Sequence, residues 1–324
     1  MKFRRRAFLH LAIGAAALPA VSRIARGQTY PSRPVHLIVA FPPAFAPDIV
    51  GRLIAQSLSD RLGQQVIVDN RPGAGTNIGT EIVVRAVADG YTLLVAGNPN
   101  AINATLYENL NFNFIRDIAP VACIASSPLV VTVNPSVPAS TVAEFIAYAK
   151  ANPGKMNMAS GGIGSTPHVA GELFKMMAGV DLVHVPYRGN SLLQDMVGGR
   201  MQVTFAPIPT VIGYIRAGKL RALGVTSTTG LDVLPGVPPV AESVPGYEAS
   251  TWFGIGAPQK TPADIVDKLN KEVNAVLDDA KMRERLADLG AVPMPMTPAQ
   301  FGRFIAEQTE KWRKVIQTAN IKLG

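Results

Sequence analysis

The sequence holds a single cysteine, Cys123, so no internal disulfide can brace the fold. Stability must come from an apolar core, and 324 residues, 48% of them apolar, are enough to bury a large one. Aromatic residues make up only 6%, which leaves Val, Ile, Leu and Ala to fill that core, as in an α/β protein. Cys123 sits in the apolar run 118–125 with nothing basic beside it, and reads as a small buried hydrophobe. Histidine is scarce as well. Beyond residue 27 only His36, His168 and His184 remain, with no helical His pair and no second cysteine, so no metal-ligand set is present. Nucleotide loops are also missing. Gly73-Ala74-Gly75 lacks the third glycine of the dinucleotide spacing, and no glycine loop ends in Lys-Ser or Lys-Thr. No cofactor is expected.

An excess of one charge is missing too, once the start of the chain is set aside. The formal net charge of +8 includes Lys2, Arg4, Arg5, Arg6, Arg23 and Arg26, and residues 1–27 contain no acid; removing these six leaves 25 basic against 23 acidic residues, or +2. A nucleic-acid or membrane-surface role therefore has no electrostatic support. Residues 1–27 read as an export signal: a basic start, an apolar run over 11–21, and Ala25-Arg26-Gly27 as a small-x-small cleavage site before Gln28. That run is too short for a permanent membrane span. Arg5-Arg6-Ala7-Phe8-Leu9 is similar to a twin-arginine signal, but Arg4 replaces the usual Ser or Thr, so the export route stays open.

What is present is a repeated grammar of short apolar strand, loop and helix. Strands are predicted over 35–40, 66–68, 91–96, 129–133, 182–185, 203–206 and 220–226. Helices are predicted over 49–62, stopped by Gly63, over 142–150 and 191–197, and in one that follows the 71–77 loop and includes 82–87. Another opens near Thr166 and closes at Gly179. A Pro- and Gly-rich connector, 230–246, leads to three C-terminal helices: one capped by Thr261-Pro262-Ala263-Asp264 and ending near 278, then 279–289 and 298–318. Such alternation predicts right-handed βαβ units on a parallel sheet, with ligands gathering at the carboxyl ends of the strands.

Three loops lie at those ends: 41–48, 71–78 and 160–168. The last, Ser160-Gly161-Gly162-Ile163-Gly164-Ser165-Thr166-Pro167-His168, is glycine-rich and runs into a helix, with Ser165 or Thr166 as N-cap and Pro167 in the first turn. Its bare amides, at the positive end of the helix dipole, suit an anion, although a plain strand-to-helix turn has the same composition. Arg71 and Arg188 are the nearest positive charges, and both residue types more often sit solvated at a surface. Asp48 reads as a first-turn stabiliser, or else as an acceptor for an ammonium group. Ser165 and His168, three apart, raise a rival reading as a periplasmic hydrolase. The surrounding pattern is not the Gly-x-Ser-x-Gly elbow, however, and no acid is placed to orient the histidine.

An ordered set of motifs spans the chain beyond the export signal. These are Tyr30-Pro31-Ser32-Arg33-Pro34; Phe41-Pro42-Pro43 followed by Asp48; Val68-Asp69-Asn70-Arg71-Pro72-Gly73-Ala74-Gly75 with Asn77-Ile78-Gly79; and Asp89-Gly90-Tyr91-Thr92-Leu93-Leu94. Later come Ser160-Gly161-Gly162 with Gly164-Ser165 and His168; Val185-Pro186-Tyr187 with Gly189; Gly198-Gly199; and Trp252-Phe253-Gly254 with Ala257-Pro258. With these the chain resembles the Bug family, the periplasmic substrate-binding proteins of tripartite tricarboxylate transporters. The resemblance implies an α/β, two-lobed type II periplasmic binding protein fold with a hinge: lobe 1 from 28–126 plus 227–324, and lobe 2 from 127–226. It also implies a monomeric, non-enzymatic receptor for a small carboxylate, held largely by backbone amides and ordered waters. Its partner would be a two-subunit, ion-driven membrane permease. The ligand positions carried over are Phe41, Pro43, Ala44, Phe45 and Asp48; Gly75 and Asn77; Ser160, Gly162, Gly164, Ser165, Thr166 and His168; and Tyr187, Arg188 and Gly189.

The chain departs from the family where Gly-Gly usually follows Phe-Pro-Pro. Here Ala44-Phe45 stands instead, and Gln202 and Ala206 stand where Asp is common. Either the Phe45 ring stacks on a flat aromatic carboxylate, or it packs against the second lobe and the ligand is an aliphatic dicarboxylate. A sensor subunit that presents its liganded form to a membrane signalling protein fits the same sequence.

Overall fold

Among the described residues, short runs rich in Val, Ile and Leu form ten strands: β1 (Val35–Val39), β2 (Val66–Asn70), β3 (Thr92–Gly97), β4 (Ile118–Val133), β5 (Asn157–Ser160), β6 (Val183–Pro186), β7 (Val203–Pro207), β8 (Arg221–Val225), β9 (Ser250–Pro258) and β10 (Val292–Pro293). This is a computed structural model, and it describes residues 30–43, 45–187 and 191–323. The export signal, Ala44, Arg188 and Gly189 lie outside the described residues.

The strands form a mixed α/β sheet in the order β2-β1-β3-β9-β4-β7-β5-β6, with β8 and β10 also paired to β4. The expected parallel pairing holds within each half: β1 with β2 and β3, and β5 with β6 and β7. In the middle it gives way to antiparallel pairs, because β9 lies antiparallel to both β3 and β4. The long strand β4 serves both halves. From Ile118 to Pro128 it pairs with β9, and from Leu129 to Val133 with β7 and β8. Register shifts at Pro120/Ala122 and Cys123/Ala125 break its regular ladder, as prolines and bulges do.

The chain crosses between the halves at Pro128–Leu129 and returns between Thr226 and Ala249, and one buried side chain joins the two crossings. Thr226 donates its amide to the Leu129 carbonyl (2.9 Å) and accepts the Leu129 N–H on its hydroxyl oxygen (2.7 Å). The Ala249 N–H reaches the Thr226 carbonyl (3.1 Å), and the Thr226 hydroxyl also contacts the Ala249 carbonyl.

The C-terminal helices close the first half. Helix Ala263–Leu277 buries Val266, Leu269 and Val273 in the core that Leu37, Ile54 and Leu93 share. Helix Pro298–Thr318 lays Phe301 across β9, where a Cβ at Gly254 would come 2.2 Å from the ring; only glycine leaves room. Trp252 meets the rings of Phe301 and Phe304 edge-on at 5.7 and 5.8 Å. Cys123 is buried, and burial pushes its thiol up to about 12, so it is the inert hydrophobe expected. Thr261 does not cap its helix: Pro262 holds the N-cap position, and the Thr261 hydroxyl is buried without a partner. Among the described residues no helix is long and apolar enough to cross a membrane.

Candidate functional site

The first loop is fixed from below. Asp48, 2% exposed, opens helix Ala46–Leu62, and its carboxylate is taken by Arg52 Nε (3.0 Å) and Asn70 Nδ2 (2.8 Å). Asn70 Nδ2 also donates to the Phe41 carbonyl (3.0 Å), so the strand-end Asn couples the 41–43 backbone to the helix start. Within the described structure Asp48 acts on the loop's shape, through these partners. Phe45 holds the N-cap with φ −78° and ψ 157°, extended backbone that needs no glycine. Its ring is 58% exposed, and Pro43 beside it is exposed too. Most of its surface thus faces solvent in this arrangement of the halves.

The second loop is strained. Gly73, Ala74, Gly75 and Thr76 follow one another with φ of 133°, 45°, 62° and 87°. Glycine adopts such values freely, but a β-branched Thr does so only when its surroundings impose it. The imposing element is helix Asn98–Leu106, which the sequence pattern did not reveal. Asn103 Nδ2 donates to the Gly75 carbonyl (2.6 Å) and to Asn77 Oδ1 (2.9 Å), and Asn100 Nδ2 donates to the Thr80 hydroxyl (2.8 Å), which in turn donates to the Thr76 carbonyl (3.0 Å). The i, i+3 spacing of Asn100 and Asn103 was the available signal. Asparagine's low helix propensity masked it.

The third loop meets the same helix. A Cβ at Gly164 would come 2.2 Å from Leu106 Cδ2, so the backbone of one half rests directly on a helix of the other. The expectation of wholly bare amides needs correcting, because the loop uses several itself. Gly162 N–H goes to the Ser160 hydroxyl (3.2 Å), Gly164 N–H to His168 Nδ1 (3.1 Å) and Ser165 N–H to the Gly162 carbonyl (3.2 Å). Among the described residues, the amides of Gly161 and Ile163 here, and of Ala74 and Gly75 opposite, take no protein partner. Thr166 begins helix Thr166–Ala178 and is buried.

Ser165 caps that helix, accepting the His168 N–H (3.4 Å) and donating to the Gly162 carbonyl (2.7 Å). Its hydroxyl is thus engaged with backbone, while the His168 imidazole receives Gly164. No Ser165–imidazole bond forms, and a nucleophile–base pair there lacks its geometry. A serine–imidazole contact does exist between Ser160 and His184 Nε2 (2.6 Å), but Ser160 is fully buried and closed to a substrate. Tyr187 donates its amide to the Ser160 carbonyl (2.9 Å) and its hydroxyl to Asp195 (2.7 Å), which also accepts Arg200 (2.8 Å). Desolvation and the Asp195 bond push the Tyr187 phenol up to about 12, so it is a committed donor. Among the described residues no His, Cys, Asp and Glu group could hold a metal ion.

The chain as a whole has counterparts in sequence and in fold. The model of the Tripartite tricarboxylate transporter family receptor matches residues 50–321. Protein BugT of Bordetella pertussis is 36% identical over 300 residues, covering 91% of this chain and 92% of its own. The structure of R. palustris Rpa4515 with adipate is similar at a TM-score of 0.79 and 36% identity, covering 90% of this chain and 99% of that one. MatC (Rpa3494) from Rhodopseudomonas palustris with bound malate reaches 0.75 and 30%, covering 89% and 100%.

Proposed function

Because the chain belongs to the tripartite tricarboxylate transporter receptor family, whose members are periplasmic solute receptors, we propose that it captures a small carboxylate between two lobes and delivers it to a two-subunit membrane permease without altering it. The lobes of this reading are 28–126 plus 227–324 and 127–226, hinged where β4 and the Thr226–Ala249 segment cross. The observation that carries it is the convergence of the second and third loops, one from each half, on helix Asn98–Leu106. The amides of Ala74, Gly75, Gly161 and Ile163 then supply the donors for the carboxylate, with no cationic side chain required. Rpa4515 and MatC, solved with adipate and malate, favour a dicarboxylate. The exposed Phe45 ring favours an aromatic acid alongside them.

Closure follows if the ligand contacts both lobes in the closed form and one in the open form. Moving such an equilibrium from 1:99 to 99:1 takes about 5.5 kcal/mol of differential binding. Several charge-assisted amide bonds, at about 1.5–3 kcal/mol each, supply it. Residues 1–27 fit an export signal that acts ahead of that step, the twin-arginine route being one of those it suits.

A thermal-shift screen with adipate, malate, citrate, benzoate and phthalate tests the reading. A ligand at 100-fold its Kd stabilises the fold by about 2.7 kcal/mol. A protein that responds to no organic acid, or that converts one to product, overturns the proposal.

A further inference from the structure

His184 lies outside the loops that face the ligand, on edge strand β6, yet its ring stacks on that of His168 with centroids 3.6 Å apart and planes 13° from parallel. Both rings are tied to the third loop. His168, 4% exposed, accepts the Gly164 N–H on Nδ1, which places its own proton on Nε2, turned toward Glu172 Oε1 at 3.8 Å. Glu172 in turn accepts Lys175 at 3.0 Å. At His184 one arrangement of protons satisfies all three contacts of the Ser160 hydroxyl. Ser160 Oγ accepts from Gly162 N–H (3.2 Å) and from His184 Nε2–H (2.6 Å), which leaves its own proton for the Gly162 carbonyl (3.2 Å).

From this geometry we propose that His184 is a positioning residue of the receptor: stacked on His168 and bonded to Ser160, it holds the 160–165 loop in the shape that presents Gly161 and Ile163 to the ligand, without touching the ligand itself. The inference rests on the receptor reading for its functional consequence, while the loop clamp stands on the geometry alone. Two charged imidazoles could not share a 3.6 Å stack. Consistently, burial together with the charges of His184 and Lys175 pushes His168 down to about 3, and burial with Lys175 pushes His184 down to about 4. Neutral rings keep the two groups that the loop uses, the Nδ1 acceptor of His168 and the Nε2 donor of His184.

The test combines imidazole nitrogen NMR, amide hydrogen exchange and calorimetry on the parent, His184→Phe and His184→Gln. In the parent at pH 7, both rings should titrate as neutral Nε2–H tautomers. His184→Phe keeps a stackable ring but loses the donor, so the Gly162 and Gly164 amides should exchange about tenfold faster. Affinity for the acid that best stabilises the parent should fall by about tenfold. His184→Gln, which retains an N–H donor, should recover part of both. A His184 proton on Nδ1 in the parent, or unchanged Gly162 and Gly164 exchange in His184→Phe, overturns the clamp, and both readouts stand whether or not any acid binds. A parent that binds no acid while the exchange effect appears removes the receptor reading and leaves the clamp in place.

Discussion

Phe45 occupies a position where its backbone is relaxed and its ring is open to solvent, so its presence costs the fold little. Its consequence should appear in ligand choice. Phe45→Gly, still acceptable at an N-cap, should weaken benzoate or phthalate by about three- to tenfold through lost ring stacking, and leave adipate and malate within about twofold. Calorimetric titration of both classes reads this, and an unchanged ranking removes the aromatic acid from the proposal. At the same scale, the stacked histidines set a direction for pH dependence. In the unfolded chain both imidazoles take up protons around the ordinary 6.5, whereas folded His184 and His168 resist until about 4 and about 3. Between those limits the unfolded state binds more protons, so stability is full above pH 6.5 and declines as the medium is acidified. Melting curves from pH 7 to pH 4 should fall less steeply for His184→Phe than for the parent, because one of the two resisting groups is gone.

The elements around the site are sensitive to backbone contact more than to side-chain charge. Gly164, at φ 75°, lies against Leu106, while Gly161 has open space where a Cβ would stand. Gly164→Ala should therefore cost about 1–3 kcal/mol and weaken carboxylate binding, whereas Gly161→Ala should keep the parent's melting temperature. Equal effects from the two would show that the 160–165 loop does not bear on helix Asn98–Leu106. Legibility in the sequence follows the same division. Helix Ser191–Val197, the Gly63 and Gly179 stops, the helix start at Thr166 and helix Pro298–Thr318 were readable because apolar period, caps and prolines agree there. Strand β4 is legible in the sequence only over 129–133, since Pro120 and Pro128 interrupt its strand pattern and only pairing with β9 reveals them as part of one ladder. Helix Asn98–Leu106 was invisible for a related reason. Its asparagines are poor helix formers, kept there by the carbonyls and hydroxyls they satisfy in the 73–80 loop and helix. The candidate loops were thus legible as glycine punctuation, and the scaffold that brings them together was not, because it is made of long-range contacts.

At the level of the whole molecule, the receptor reading requires the two halves to move about a small locus, and the chain offers one at Thr226. Its hydroxyl is fully buried between Leu129 and Ala249, the two segments that pass from one half to the other. Thr226→Val keeps the shape and removes the hydroxyl, leaving the Leu129 N–H without that acceptor. The cost of an unmet buried donor is about 1–3 kcal/mol, which lowers the melting temperature by a few degrees, and Thr226→Ser should restore most of it. The functional effect should exceed the loss of stability. With the crossings held to each other by their backbone bonds alone, the unliganded protein should sample more open arrangements, so its radius of gyration by small-angle scattering should rise, and the contraction on adding a saturating acid should grow. Affinity should drop in proportion to the lost closed population, because in the receptor reading it is the closed arrangement that brings Ala74 and Gly75 against Gly161 and Ile163. If Thr226→Val melts lower but scatters and binds as the parent does, the threonine is a local brace and the hinge lies elsewhere along β4.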